Sequence, residues 1–247
     1  DLIAGLPEED YQSLAESFNW AYRLQPDYLQ LGFLKLLKGT AIREEAPRYD
    51  YVYKDYPPYE VLANRWLSFD EISTLKIIDD LLHRYYNSHV FSYTLAYCIP
   101  KFFAGSAFRF YEALAEYYIA EDLAGRPLRR ERLYINLADF LSRLDPVNST
   151  QYKQLLILDF VVNNRNLNIP DELGRTTVEN QGARIKAFIR KRQKELPSRG
   201  GAKTRIEVFQ LDILSLAGIR EPAPPQPCYP VLFCYGEEKT TLEYIDL

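Results

Sequence analysis

Residues 1–40 are DLIAGLPEEDYQSLAESFNWAYRLQPDYLQLGFLKLLKGT, and this stretch decides the fold that we expect at the start of the chain. Asp1–Gly5 is a short apolar run that stops at a glycine. Glu8–Arg23 carries apolar residues at helical spacing, which predicts a helix with one buried face. Tyr28–Leu37 is a second extended run. Two strands joined by one helix lie parallel in one sheet, with a right-handed crossover.

A single strand–helix–strand unit cannot bury both faces of its sheet. We therefore expect the chain to begin in the middle of a larger domain. The sequence contains no methionine, not even an initiator, which favours a fragment, a processed product or an incomplete record.

The tyrosine-rich segment Tyr49–Trp66 follows this unit, after a short helix expected at Thr40–Arg48 with Thr40 as its N-cap. Its Pro57-Pro58 pair is tolerated neither inside a helix nor in a central strand. We interpret the segment as an extended connector with one short strand at Tyr59–Leu62. Its tyrosines could line a substrate entrance, but we favour packing between two domains, residues 1–66 and residues 67–247.

Helices dominate the second domain. Ser68 and Glu71 are spaced as a capping box, which stabilises a helix start by about 1 kcal/mol. Pro100 should kink or end the helix that contains it. The expected helices are 68–87, 91–103, 106–123, 130–144, 149–164 and the basic helix 178–196. A small C-terminal β element is predicted at 204–211, 231–235 and 240–245, with one helical turn at 212–217.

Composition limits the class of protein. Apolar residues make up 47% and charged residues 26%, so a sizeable core can form. The net charge of −4 gives no general attraction to nucleic acid or to an anionic membrane. Three widely spaced cysteines, Cys98, Cys228 and Cys234, argue against a disulfide framework. Without a signal peptide or a spanning run, we expect a cytoplasmic protein with no membrane partner.

No catalytic or metal motif stands out in the sequence. His83 and His89 are six residues apart, whereas two ligands on one helix face need a spacing of three or four. Adjacent acidic pairs such as Glu8-Glu9 and Asp79-Asp80 point to different faces and predict solvated surface rather than an acid–base pair. We therefore predict no metal ligand and no catalytic residue in this chain.

Two opening runs, DLIAGLPE at 1–8 and LQLGFLKLLKGT at 29–40, resemble the late strands of the radical S-adenosylmethionine barrel. The fifth-strand pattern of that family is G-x-I-x-G-x-x-E. Ile3, Gly5 and Glu8 match it, while Asp1 occupies the position of the first glycine. With YEVLANRWLSFDEI at 59–72 and RYYNSHVFSYTL at 84–95, the chain is similar to the C-terminal half of the cobalamin-binding class, in which an uncharacterised helical domain follows the barrel.

The resemblance implies a fold class and a cofactor face. The fold would be an α/β remnant, the last β/α units of a partial TIM-like barrel, followed by a mainly α-helical domain with a small C-terminal β element. Ile3 would pack on the adenine of S-adenosylmethionine, and Gly5 would let the backbone approach closely. The sixth strand, around Leu34–Leu36, would approach the adenine through backbone groups. Alternatively, Ile3 and Leu36 are ordinary buried strand residues, and Gly5 permits the turn before Pro7.

The resemblance also implies cofactors that this sequence cannot hold. The family binds its iron–sulfur cluster through C-x-x-x-C-x-x-C, in which three thiolates leave one iron open to S-adenosylmethionine. No cysteines here have that spacing. We expect the cluster loop, the rest of the barrel and a cobalamin-binding domain to lie upstream of Asp1 as partners of this part. The parent would abstract hydrogen from an unknown substrate, and this chain alone would be inactive.

A second hypothesis comes from a basic stretch. Arg184–Arg205 holds nine lysines or arginines and a single acid, Glu195. Such a stretch can bind RNA or an acidic protein partner, which would make the chain a helical recognition module. The same pattern also fits a solvated surface helix and a flexible linker, the interpretation that we favour.

Overall fold

The fold is given by a computed structural model. It describes residues 1–176, 203–236 and 239–245, together with Ala183 and Ala187. These residues form two compact units, the first from 1–89 and 98–128, the second from 90–97 and the described part of 129–247. The boundary that we predicted between residues 66 and 67 lies inside the first unit.

The first unit opens with the predicted strand–helix–strand arrangement. Its elements are β1 (Leu2–Ala4), α1 (Tyr11–Arg23) and β2 (Leu31–Phe33). The two strands pair in parallel, with Leu2 opposite Leu31 and Ala4 opposite Phe33. The predicted parallel pairing is confirmed.

Helix α1 begins later than we predicted from Glu8. The carboxylate of Asp10 caps the helix by accepting a hydrogen bond from the amide of Ser13 at 2.8 Å. That backbone hydrogen bond also holds the pKa of Asp10 below its usual value. Glu8 has a left-handed backbone with φ of 66°. The prediction that Glu8 is a first-turn helix residue was therefore wrong.

The connector contains more regular structure than we predicted. The short helix expected at Thr40–Arg48 is present as α2 (Ala41–Glu44) followed by a 3-10 helix (Ala46–Tyr49), and the connector itself contains two strands, β3 (Val52–Tyr53) and β4 (Val61–Ala63). The two strands form an antiparallel pair. Thr40 occupies the N-cap position of α2 but its hydroxyl donates to the carbonyl of Leu37 at 2.7 Å, so it makes no cap bond.

Five of the predicted helices are present with bounds close to those expected. They are α3 (Phe69–Tyr85), α4 (Ser92–Phe103), α5 (Ala107–Ala120), α6 (Arg130–Leu144) and α7 (Ser149–Asn163). The capping box of α3 is complete, because the Ser68 hydroxyl accepts from the amide of Glu71 while the Glu71 carboxylate accepts from the amide of Ser68. Helix α4 continues for three residues beyond Pro100.

The second unit contains a three-stranded antiparallel sheet. Its strands are β5 (Lys203–Phe209), β6 (Tyr229–Tyr235) and β7 (Thr240–Tyr244), in the order β5–β6–β7. A short helix, Ile213–Leu216, lies between β5 and β6 in the sequence. The central strand β6 buries five successive residues, 229–233. This sheet confirms the predicted C-terminal β element.

The chain is thus mainly helical with three small sheets among the described residues. Among these residues, no helix combines the length and the apolar character needed to cross a membrane. The predicted basic helix 178–196 lies outside the described residues, apart from Ala183 and Ala187. That β1 and β2 are the remnant of a barrel stays a prediction.

Candidate functional site

The candidate site is the uncovered face of the β1–β2 pair. Ile3 lies opposite Gly32 in the parallel register. Because successive residues of a strand point to opposite faces of the sheet, Ile3 lies on the face away from Ala4. Ala4 is fully buried, whereas Ile3 is 46% exposed. The pair therefore has one face in the core and one face, formed by Ile3 and Gly32, that this chain leaves partly open.

Gly5 ends β1 in a conformation that favours glycine. Its φ is +94°, and a Cβ atom at this position would lie 2.8 Å from Cγ1 of Val61. Strand β4 therefore approaches the backbone of Gly5 more closely than a side chain would allow. The sequence predicted both a turn and a close approach at Gly5, and the partner that approaches within this chain is Val61.

The carbonyl oxygen of Gly5 accepts two side-chain hydrogen bonds. The hydroxyl of Tyr51 donates at 2.7 Å and Nδ2 of Asn64 donates at 3.1 Å. Tyr51 is 8% exposed, so its hydroxyl is held in a buried setting where burial raises its pKa. Our sequence reasoning missed both residues, because nothing in the connector pattern indicates contact with a strand about 50 residues earlier.

Leu36 has a structural setting in this chain. Its side chain is fully buried. Its amide donates to the carbonyl of Tyr59 at 2.8 Å, and its carbonyl accepts from Nη1 of Arg43 at 2.8 Å. The guanidinium of Arg43 in turn lies over the rings of Tyr53 and Tyr59, at 5.1 and 5.2 Å. The amide and the carbonyl of Leu36, which we expected to approach a cofactor, thus have partners in Tyr59 and Arg43 of this chain.

The loop after β1 contains a partly buried carboxylate, that of Glu9. Oε2 of Glu9 is buried and has no hydrogen-bond partner among the described residues. Burial, with the neighbouring charge of Asp10 as a smaller cause, raises the pKa of Glu9. The next side chain, Tyr11, donates its hydroxyl to Oε1 of Glu112 on α5 at 2.8 Å. Between β1 and α1, the Glu9 carboxylate is therefore partly desolvated, whereas Glu8 and Asp10 on either side of it are exposed.

The cysteines and histidines do not form a metal site among the described residues. In that part of the chain, no three His, Cys, Asp or Glu side chains come together as a metal ion would require. Cys98 is buried, Cys228 and Cys234 are half-buried, and none of the three forms a disulfide. Nδ1 of His83 lies 3.0 Å from the hydroxyl of Tyr28. These residues supply no ligand set for an iron–sulfur cluster.

Asp159 is a buried carboxylate in the second unit, on helix α7. It is 1% exposed and accepts hydrogen bonds from the amides of Tyr93 and Thr94, at 3.1 and 2.9 Å, and from the Thr94 hydroxyl at 2.6 Å. Asp159 thus caps the start of α4. Burial raises its pKa to about 7, against the lowering effect of these hydrogen bonds. Its place in the apolar run LLILDFVV was the one sequence clue to its burial.

Glu207 on β5 is a second buried carboxylate, 2% exposed. Arg175 binds it through two hydrogen bonds, Nε to Oε2 at 2.9 Å and Nη2 to Oε1 at 3.0 Å, and Nε of Arg205 donates to Oε1 at 2.9 Å. Arg205 also donates to the carbonyl of Leu167 at 2.8 Å. Arg205 is therefore committed to contacts within the unit. Most of the predicted basic face, Arg184–Arg205, lies outside the described residues, and RNA or acidic-partner binding there stays a prediction.

Comparison with known proteins places the chain in a family. The family model described as "Protein of unknown function (DUF4080)" matches residues 47–222, more than two thirds of the 247 residues. A search of curated proteins gave no match. The match begins in the 3-10 helix of the connector and includes all five long helices from α3 to α7. The chain therefore belongs to the DUF4080 family of proteins of unknown function.

Proposed function

We propose that this chain is the C-terminal part of a radical S-adenosylmethionine enzyme. The β1–α1–β2 unit is the end of its partial barrel, and the DUF4080 region is the domain that follows. One observation carries the proposal: β1 and β2 are parallel, are joined by a helix, and present the apolar side chain of Ile3 on an open face. A β/α barrel is built from parallel strands joined by helices, and its ligands bind at the carboxyl ends of those strands.

The residues of the open face fit the adenine part of the cofactor. Ile3 offers an exposed apolar side chain, and Gly32 opposite it has no side chain that would project from this face of the sheet. A flat aromatic ring can lie on such a surface. Gly5 and Leu36 act differently from what we first expected, because the side chains of Tyr51 and Arg43 bind their carbonyl oxygens. In the proposal, Ile3 touches the cofactor, whereas Gly5 and Leu36 hold the strand ends in place.

Bound S-adenosylmethionine, together with a reduced iron–sulfur cluster, supplies radical chemistry that abstracts hydrogen from a substrate. The described residues do not fit the cluster, since no three His, Cys, Asp or Glu side chains among them come together as a metal site. Cluster and cobalamin would be held by other parts of the parent protein. This chain binds the adenine, covers one side of the barrel and shields the site from water.

The decisive experiment uses the complete reading frame that contains this chain. The sequence preceding Asp1 is inspected for C-x-x-x-C-x-x-C, and the full-length protein is purified anaerobically and analysed for iron, sulfide and cobalamin. Affinity for S-adenosylmethionine is then measured for the wild type and for Ile3→Asp. We expect Ile3→Asp to weaken binding about tenfold, because it places a charge against an apolar ring.

Val52→Asp is the matched control. Val52 is also a β-branched strand residue of the first unit and is 55% exposed, but it lies on β3, away from the candidate face. Its affinity for S-adenosylmethionine should stay within twofold of the wild type. A full-length protein without the cysteine motif, or equal affinities for Ile3→Asp and the wild type, would contradict the proposal.

A further inference from the structure

The carbonyl of Gly5 is held by two donors that both come from the connector. Tyr51 directly precedes β3 and Asn64 directly follows β4, and the antiparallel register that pairs Val52 with Ala63 brings these two donors to the same end of the β3–β4 pair. On β4 itself, Val61 occupies the space where a Cβ of Gly5 would lie. The end of β1 is therefore contacted by three residues of the segment 51–64, which lies in the DUF4080 region.

We propose that Tyr51 and Asn64 are positioning residues for the ligand face of β1. By donating to the Gly5 carbonyl they fix the direction of the Gly5–Leu6 peptide, two residues after Ile3, and with it the end of β1 that carries Ile3 and the start of the loop Leu6–Glu9. The ligand in question is S-adenosylmethionine, so this inference rests on the proposed function. It assigns to the DUF4080 region a specific task in that function, which is to align the last barrel strands.

Both donors are themselves held in place. Oδ1 of Asn64 accepts from the amides of Trp66 and Leu67, at 2.9 and 2.8 Å, which leaves Nδ2 directed at Gly5. The ring of Tyr51 packs edge-on against Tyr49, with 6.2 Å between ring centroids. Because both donors are already fixed, the strand end that they hold needs no reordering when a ligand binds beside it, which is the advantage of a preorganised site.

The loop that these donors orient needs such support. The loop contains Glu8, which has a left-handed backbone although it is not a glycine, and it directly follows Gly5, whose φ is also positive. A non-glycine residue in that region is strained and persists only where surrounding contacts enforce it. The buried Oε2 of Glu9 adds a polar atom without a partner among the described residues. Loss of one donor to Gly5 should therefore loosen the loop rather than the whole unit.

The test compares three variants of the full-length protein. Tyr51→Phe removes one donor and keeps the ring, and Asn64→Asp removes the other while keeping the Oδ1 acceptor. Tyr49→Phe, in the same segment, is the control. Hydrogen exchange of the amides of Leu6, Glu8 and Glu9 is measured without ligand. We expect exchange about fivefold faster in Tyr51→Phe and in Asn64→Asp, the factor that one net hydrogen bond supplies, and no change in the control.

Affinity for S-adenosylmethionine is measured on the same proteins, at equal iron content and with unfolding midpoints recorded. We expect the Kd to rise about fivefold in both test variants and to stay within twofold in Tyr49→Phe. Unchanged exchange would overturn the anchoring of the loop. Faster exchange with an unchanged Kd would overturn the positioning role and leave Tyr51 and Asn64 as structural residues.

The two readouts also separate this inference from the proposed function. Exchange reports on the loop whether or not any cofactor is present. If the wild-type protein does not bind S-adenosylmethionine, the proposed function fails and the assigned ligand fails with it. In that case a faster exchange in Tyr51→Phe would still show that the connector fixes the end of β1.

Discussion

The starts of helices α3 and α4 are both stabilised by a carboxylate, which is near in the sequence for α3 and distant for α4. Helix α3 is capped by Ser68 and Glu71, three residues apart, at an exposed position. Helix α4 is capped by Asp159, which lies about 65 residues later and is buried. A local cap can be predicted from the sequence and contributes modestly to the free energy of unfolding. A distant buried cap cannot be predicted from the sequence, and it contributes far more because water cannot replace its hydrogen bonds.

The largest effect should come from Asp159→Ala. The substitution leaves two amides and the Thr94 hydroxyl without their acceptor in a buried place, so we expect a loss of about 4 kcal/mol in the free energy of unfolding. Urea denaturation followed by circular dichroism measures it. Asp139→Ala is the control, since Asp139 forms an exposed ion pair with Arg143 and should change the free energy by less than about 1 kcal/mol. Similar losses in the two variants would remove the distinction between buried and exposed carboxylates.

The second effect concerns pH. Burial raises the pKa of Asp159 to about 7 from 3.8, so the folded state binds the proton of this carboxyl more tightly than the unfolded state does. The stability that this proton binding contributes is fully present below about pH 4 and is lost as pH rises through 7. Relative to Asp159→Asn, which cannot ionise, the wild type should lose about 2 kcal/mol between pH 5 and pH 7. Denaturation curves of both proteins at pH 5, 6 and 7 give the difference. If the difference in free energy of unfolding between the two proteins stays constant from pH 5 to pH 7, or grows in favour of the wild type, the hydrogen bonds to Asp159 lower its pKa by at least as much as burial raises it.

A smaller effect is expected at the local cap. Ser68→Ala removes the acceptor for the amide of Glu71 and should lower the free energy of unfolding by about 1 kcal/mol. Ser73→Ala is a control within the same helix, because the Ser73 hydroxyl only donates back to the carbonyl of Phe69. If Ser68→Ala costs as much as Asp159→Ala, distance along the chain does not separate the two kinds of cap.

The smallest effect should come from Glu71→Gln. The amide side chain can still accept from Ser68, but the charge that favours a helix N-terminus is lost. We expect a loss of about 0.5 kcal/mol at low salt that shrinks as sodium chloride is added, since the position is exposed. The difference from the wild type is measured at two salt concentrations. A loss that does not respond to salt would indicate that hydrogen-bond geometry, rather than charge, gives this residue its role.

The same contrast explains which parts of the fold the sequence predicted. The unit β1–α1–β2, the capping box of α3 and the bounds of α6 rest on patterns within a few residues, and all were predicted. The pairing of β3 with β4 was missed because each strand is only two or three residues long. Pro57 and Pro58 lie between them and suggested an irregular segment.

The candidate site divides in the same way. Ile3 and Gly5 were selected by a short pattern, and the turn at Gly5 followed from residue type. Tyr51 and Asn64 could not be selected, because their partner lies 46 and 59 residues away and neither has a distinctive neighbour. Leu36 was chosen for its backbone, and only the fold reveals that Tyr59 and Arg43 engage that backbone.

Glu207 has a further consequence for how this chain could be re-engineered. Its two partners, Arg175 and Arg205, stand on either side of residues 177–202 in the sequence, yet both bind one carboxylate. Positions 175 and 205 are thus held close to each other by charge-assisted hydrogen bonds to the same carboxylate. A design that changes the chain between these two positions should therefore keep Arg175, Arg205 and Glu207, because a buried carboxylate left without one of its partners would destabilise the second unit.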